Sequence, residues 1–399
     1  MANTILTPTA VTREALRVLH QKLNFIGTIT RDYDDSYAKQ GAKIGDTLKI
    51  RLPNQYTVRT GATLSAQDTT ESSVSLQLAT QKGVDVNFTS NELTLSLDDF
   101  SKRIIQPAMA VLASNIESDA MSMYKDVYQQ VNNVGAAMTF NKVLQGRKIL
   151  NDALTPMDDD RSANLNTQDN IDLVDALKGL FQDASALKQQ YREGMMGRTA
   201  GFDFYENTLW PTQTVGTKAG SPVVNGGAQT GASLVTNGWT ASSAVLKRGD
   251  VFTIASVFKV HPETKNATSI LQQFVVTADT SSDGTGNATI PISPSITVSG
   301  ATQNVSGSPA NSAVITVVGT ASTAYGISVA YHKNAFAFGT ADLVMPDGVD
   351  FASRQTLDGV SMRIVRQYDI NNDKFPCRID VLYGYKTIRA QLACRLANN

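Results

Sequence analysis

The sequence predicts an α+β protein with an all-β domain inserted into it. Apolar residues recur in steps of three or four over one long stretch, Asp98 to Val131, which is the helical period. Short alternating strands occur before it, from Thr47 to Phe88, and near the end of the chain, from Met362 to Tyr368 and Arg378 to Gly384. Composition changes abruptly in between: from Pro211 to Ala330 there are nine charged residues, against 62 in the other 279. Thr, Ser, Gly, Val and Ala dominate that segment, as in small β domains joined by tight turns. With 399 residues, 42% of them hydrophobic, the chain is long enough for two or three domains.

In chain order, Val11, Ala15, Val18, Leu19 and Leu23 make one face of a helix over about Thr12 to Phe25. Arg31 to Gln40 is charged and aromatic, and reads as an arm. Three strands follow, marked by Leu48, Ile50 and Leu52, by Val74, Leu76 and Leu78, and by Val84, Val86 and Phe88. The first two flank Pro53 to Glu71, a polar segment with few core-forming residues, which predicts an extended hairpin. The long helix carries its stripe at Phe100, Ile104, Ala108, Leu112, Ile116, Ala120, Met123, Val127 and Val131. Pro107 interrupts it, and because Gln106 is a poor cap a kink is expected there rather than a fresh start. Further helices are predicted over Asn141 to Leu154 and Ile171 to Phe181. Between them, Asp158, Asp159 and Asp160 read as an exposed loop, since three consecutive side chains point in different directions. Strands are expected over Val251 to Val260, Leu271 to Ala278, Ala313 to Val318 and Ile327 to Tyr331.

Signals for chemistry are weak. The formal charge of −1 and pI near 6.3 give no basic footprint for tight nucleic-acid binding. No apolar run is long enough to span a bilayer, and the start lacks a secretory pattern, so folding in a cytoplasm is expected. Cys377 and Cys394 lack zinc-type spacing and read as reduced thiols. No Walker loop, dinucleotide fingerprint or nucleophile elbow appears. Asp279, Ser281, Asp283 and Gly284 match half a calcium loop, but Ile290 stands where the closing Glu is required, so a β-turn is expected. Asp369, Asn371 and Asp373 also read as a turn, and Phe336, Phe338 and Phe351 as core. His20, His261 and His332 lie far apart. No catalytic residue, metal site or cofactor is predicted.

Three stretches nevertheless resemble the tailed-bacteriophage major capsid (coat) protein family, in the branch similar to the Salmonella podovirus coat protein. They are Tyr331-His-Lys-Asn-Ala-Phe-Ala-Phe with Ala341-Asp-Leu and Pro346; Ile364-Val-Arg-Gln-Tyr-Asp-Ile with Ile379-Asp-Val-Leu-Tyr-Gly and Leu392-Ala-Cys-Arg; and Gly201-Phe-Asp-Phe-Tyr-Glu-Asn with Pro211-Thr-Gln-Thr-Val-Gly. The resemblance implies the Hong Kong 97 capsid fold. Residues 1–40 would be the N-terminal arm, 41–90 the extended loop and its strands, and 91–140 the peripheral domain with its spine helix. Residues 141–220 would begin the axial domain, 221–330 would be the inserted β domain, and 331–399 would return to the axial and peripheral domains.

The implied function is a shell tiled from pentamers and hexamers around the phage genome, in a virion built in the bacterial host cytoplasm. The implied partners are other copies of the chain, a scaffolding protein, a portal, packaged double-stranded DNA bound without sequence specificity, and a decoration protein, with no membrane. The competing reading is a β-rich virion-surface, tail or adhesin protein that uses the Thr/Ser/Gly-rich region for binding. On the capsid reading, Asn54, Gln55, Thr57, Arg59 and Thr60 are candidate inter-subunit hydrogen-bonding residues. Tyr56 and Leu64 are candidate apolar contacts, and Pro107 is a candidate hinge of the spine helix.

Overall fold

A computed structural model describes residues 8–31, 47–59, 61–64, 66–68, 71–88, 105–177, 197–357, 360–371 and 374–398. In chain order, helices α1 (Pro8–Lys22) and α2 (Phe25–Thr28) precede strands β1 (Thr47–Arg51), β2 (Ser73–Gln77) and β3 (Thr80–Phe88) and helix α3 (Gln106–Met121). Next come β4 (Gln130–Asn132), α4 (Phe140–Asp152), β5 (Arg161–Leu165), α5 (Thr167–Leu177), β6 (Arg198–Thr199), β7 (Phe202–Glu206) and β8 (Thr212–Thr214). The charge-poor segment supplies β9 (Gly220–Val224), β10 (Gly231–Trp239), β11 (Ala244–Leu246), β12 (Val251–Val260), β13 (Ala267–Val276), β14 (Thr280–Ser281), β15 (Ala288–Ile296) and β16 (Ile315–Val317). The chain returns through β17 (Ala324–His332), β18 (Phe336–Ala341), β19 (Phe351–Leu357), β20 (Val360–Arg366), β21 (Phe375–Thr387) and β22 (Ala393–Ala397). It divides into two compact units: Met1–Arg51, Ser73–Met121 and Phe336–Ile388 form one, and Leu52–Ser72, Ser122–Ala335 and Arg389–Asn399 the other.

The first unit is organised on β21. Strand β3 runs antiparallel along one side of it, from Phe375↔Phe88 to Tyr383↔Thr80, while β18 and β20 share the other side and β19 follows β20. Helix α1 buries Thr12, Ala15, Leu16 and Leu19, an amphipathic stripe packed on α3, β19 and β20. Its partner α3 buries Met109, Leu112, Ala113, Ile116 and Ala120. Phe25 packs on Phe336 with ring centroids 5.7 Å apart, and the Phe25 amide donates to Glu117 Oε1. Phe336 and Phe338 are core residues, as expected; the Phe351 side chain lies outside the description.

The predicted helix from Asp98 to Val131 needs correction. Residues 98–104 lie outside the described residues, and the helix described ends at Met121. A 3-10 turn, Ser122–Asp126, follows, and Val131 lies in β4, where it pairs in parallel with Leu396. Met123, Val127 and Val131 are buried at four-residue steps, as a helical stripe would be, but in three different backbone conformations. The pairing of the Gln130–Asn132 backbone with β22 wins over helix continuation. Pro107 is the second residue of α3 as described, and the helical backbone already includes Ile105 before it.

The second unit contains a mixed sheet in the order β4-β22-β17-β5-β7-β6, with β22/β4 and β5/β7 parallel. Helices α4 and α5 cover one face: Val143, Leu150, Leu173 and Leu177 pack on Val131, Ala163, Leu165, Ala330, Cys394 and Leu396. Six strands of the insert follow the order β16-β12-β13-β15-β10-β9. A Val223↔Val314 bridge, with Val224 N donating to Ala313 O (2.9 Å), joins the two edges, so the antiparallel sheet closes into a barrel without a free edge. Phe252 and Phe274 stack at 5.8 Å in its core, among buried Leu234, Ile254, Ile290 and Ile292. Sequence alternation missed β10 and β15, which carry Asn237-Gly238 and the prolines Pro291 and Pro294; barrel closure overrides those breaks.

Candidate functional site

The segment predicted as a hairpin at Pro53 to Glu71 is exposed at most of its described residues. Strands β1 and β2 pair in register from Thr47↔Gln77 to Arg51↔Ser73, and Leu52 N donates to Ser72 O (2.8 Å). The connecting loop is braced from within. Gln67 accepts from Thr57 N (2.9 Å) and Thr57 Oγ1 (3.0 Å) and donates from Nε2 to Thr57 O (2.5 Å), while Arg59 Nη1 donates to the carbonyls of Gly61 and Thr63. Gly61 turns the chain with φ of 99°, a conformation that favours glycine.

The predicted contact residues fall at different places in this braced loop. Thr57 and Arg59 hold the loop in shape, Thr60 lies outside the described residues, and Asn54 is half-buried with no partner for Oδ1. Gln55 is exposed. Tyr56 and Leu64 are 58% and 81% exposed, and beside them Val58, which sequence reasoning overlooked, is 97% exposed. Its signal was there to find, since Tyr56 and Val58 alternate at the strand period.

The root of the hairpin sits in a saddle made by two glycines. Gly339 of β18 and Gly384 of β21 are register partners, and their missing side chains bare the sheet at one spot. Buried Leu76 and Leu78 rest there: a Cβ on Gly339 would lie 3.2 Å from Leu76 Cδ2, and one on Gly384 would press into the Gln77 carbonyl, 2.9 Å from its carbon. Nothing local in the sequence marks two glycines 45 positions apart as a pair.

The acidic run forms a hydrogen-bonded knot. Asp159 pairs with Arg198 (2.9 Å), but Asp158 and Asp160 converge with buried His332, with a possible ligand atom of each within 4.8 Å of the others. Only Asp159 thus diverges as expected. His332 Nδ1 accepts from Asn334 N (3.2 Å), so Nε2 carries the proton and donates to Asp158 Oδ1 (3.1 Å). Burial works to raise the Asp158 pKa, but the bonds from His332 and the Asp160 amide outweigh it and hold the carboxyl below its ordinary range. A cation would have to displace the proton on Nε2, and the geometry is that of a structural clasp. Both cysteines are buried, and burial pushes each thiol up to about 12, so neither is a thiolate at neutral pH.

The half calcium loop is a turn, as expected. Asp283 Oδ1 accepts from Thr285 N (2.8 Å), Thr285 Oγ1 (2.8 Å) and Asn287 N (2.9 Å). The Asn287 amide and the Thr285 groups hold its carboxyl down at about 2. A depressed folded pKa stabilises the turn above the ordinary carboxylate value, about 3.9, and that contribution is lost as pH falls toward 2. Carboxyl-detected NMR titration should give Asp283 a midpoint near 2; a midpoint near 4 would contradict the turn geometry.

Among the described residues no helix is long and apolar enough to cross a membrane. An exposed, internally braced hairpin rooted in one unit and a closed barrel inserted in the other define a structural protein whose distinctive features are surfaces. The chain belongs to the P22 coat protein family: residues 14–394 match the family model described as P22 coat protein, gene protein 5. It is accordingly a major capsid protein of a bacteriophage shell. None of the curated proteins compared with the chain matches it. Among solved structures, Mycobacterium phage Che8 is 13% identical, covering 94% of this chain and 90% of its own, with a TM-score of 0.48. The capsid structure of the Cyanophage P-SCSP1u is 10% identical over 90% of this chain and 84% of its own, with a TM-score of 0.41. The CUS-3 coat protein I-domain is 30% identical over 25% of this chain and 96% of its own, with a TM-score of 0.19.

Proposed function

We propose that the chain assembles as pentamers and hexamers into an icosahedral, Hong Kong 97-type shell around double-stranded DNA, with the loop Leu52–Ser72 lying across a neighbouring copy. The observation that carries this reading is the loop itself: it offers Tyr56, Val58 and Leu64 to solvent while its own hydrogen bonds hold it ready-shaped. A pre-shaped element loses less conformational entropy on docking. Gln55 and Asn54 supply polar contacts at its rim, and the Hong Kong 97 domain boundaries expected above belong to the same proposal. A scaffolding protein and a portal are the partners that such a shell would need, DNA would touch its inner face without sequence readout, and a decoration protein would bind outside. Shell formation needs no catalytic group, and assembly takes place in the host cytoplasm. Negative-stain microscopy of the purified protein should show capsomers or closed shells. Fibres would favour the tail or adhesin reading, and monomers at every concentration would refute self-assembly by this chain alone.

A further inference from the structure

The mixed sheet of the second unit has a second face, away from α4 and α5. Val131, Leu396, Ala330 and Ala163 point to the helices, so the strand period turns Gln130, Arg395, Val329 and Asn164 the other way, toward the insert. These four form one cross-strand row, through the register pairs Arg395↔Gln130, Val329↔Arg395 and Val329↔Asn164. The row is polar and yet buried: Arg395 and Asn164 are 0% exposed and Gln130 is 2% exposed.

The insert meets this row with polar groups of its own. Arg395 Nη1 donates to Gly249 O (2.8 Å), and its guanidinium lies 5.9 Å from the Tyr124 ring centroid. Gln273 of the barrel clasps the backbone of Gln130, accepting from its N (2.8 Å) and donating to its O (2.9 Å). Even so, Arg395 Nε and Nη2 and Asn164 Nδ2 have no hydrogen-bond partner within the protein, and beside them the side chains of Gln130 and Tyr325 have only each other. Tyr325 is buried, and its hydroxyl feels both the Arg395 charge and the Gln130 carboxamide. Buried polar atoms are almost always paired, with protein or with ordered water.

We propose that this seam between the sheet and the insert is a buried water site, in which ordered waters bridge Arg395, Gln130, Tyr325 and Asn164. Charge balance selects water over an anion. Asp250, itself buried, accepts from Lys247 N (2.9 Å), Gly216 N (2.9 Å) and Gln213 Nε2 (3.1 Å) and balances the Arg395 charge. An anion would leave the seam with a net negative charge in a low-dielectric setting. Each buried water makes two to four hydrogen bonds, so about two waters suffice for the unpartnered atoms. Contacts through water re-form after a small shift more easily than interlocked apolar side chains do, which gives the barrel an attachment able to adjust.

Cryo-electron microscopy of shells of the full chain, at a resolution that shows ordered solvent, tests this. Solvent peaks are expected at about 2.7–3.2 Å from Arg395 Nε or Nη2 and from Tyr325 Oη or Gln130. Direct protein partners for these atoms, or a peak that bromide replaces when crystals are soaked, would overturn it. The same readout from crystals of unassembled protein does not depend on whether the chain forms shells.

Discussion

Chains lacking Pro53 to Glu71, closed by an Asn-Gly turn between β1 and β2, should fold and remain soluble but form no shells. The strands already pair in register up to Arg51↔Ser73, and a two-residue type I′ turn suits that geometry, so the fold loses little. What disappears is the contact surface. Fully burying an apolar side chain is worth roughly 1.5–3 kcal/mol, so Tyr56, Val58 and Leu64 together supply several kcal/mol per subunit. Each contact alone is reversible, but a closed shell engages all of them at once, and their loss is multiplied over every interface. Sedimentation and microscopy should show only small species, with an unchanged circular dichroism spectrum. Val58→Asp alone should move assembly the same way, by placing a charge where an apolar contact is required. Normal particles from the deletion would exclude the loop from the interface.

Gly384→Ala should destabilise the first unit by about 1–3 kcal/mol, the usual cost of overpacking, read as a lower midpoint in urea. The new methyl would meet the carbonyl of Gln77, and backbone cannot rotate out of the way as a side chain can. Relief requires lifting β2 off the sheet, which also swings the hairpin root, so assembly should fail at concentrations where the parent chain succeeds. Gly339→Ala is the control. Its methyl meets Leu76 Cδ2 at 3.2 Å, the far end of a flexible side chain, and the effect should be distinctly smaller. Equal effects for the two would mean that backbone approach is not what selects glycine at 384.

Much of the fold was legible because the relevant patterns are local. The alternations at Leu48 to Leu52 and Val74 to Leu78 became a hairpin, and the stripe starting at Asn141 became α4. The stretch to Val131 misled because a four-residue apolar step is compatible with a helix, a 3-10 turn followed by a strand, or a mixture. The exposed loop could be read as well. A polar segment between two strands announces a loop, and Tyr56 and Leu64 stand out in it. Val58 was passed over, and the bonds of Thr57 to Gln67 and of Arg59 to the Gly61 turn carry no local signal.

By itself the sequence determined the α+β class, the position of the charge-poor β insert and, through family-level stretches, membership among phage coat proteins, because these reside in periodicity, composition and order along the chain. Only the tertiary structure decided that Gly339 faces Gly384, that Asp158 and Asp160 meet His332, and that the insert closes into a barrel. It also decided the fate of Arg395. Arg395 carries a charge that water would solvate, yet in the strand Ala393–Ala397 it is wholly buried. Alternation specifies which face of a sheet a residue takes; whether that face meets water depends on a domain folded from residues far away in the chain, such as Gly249, whose carbonyl accepts from Arg395.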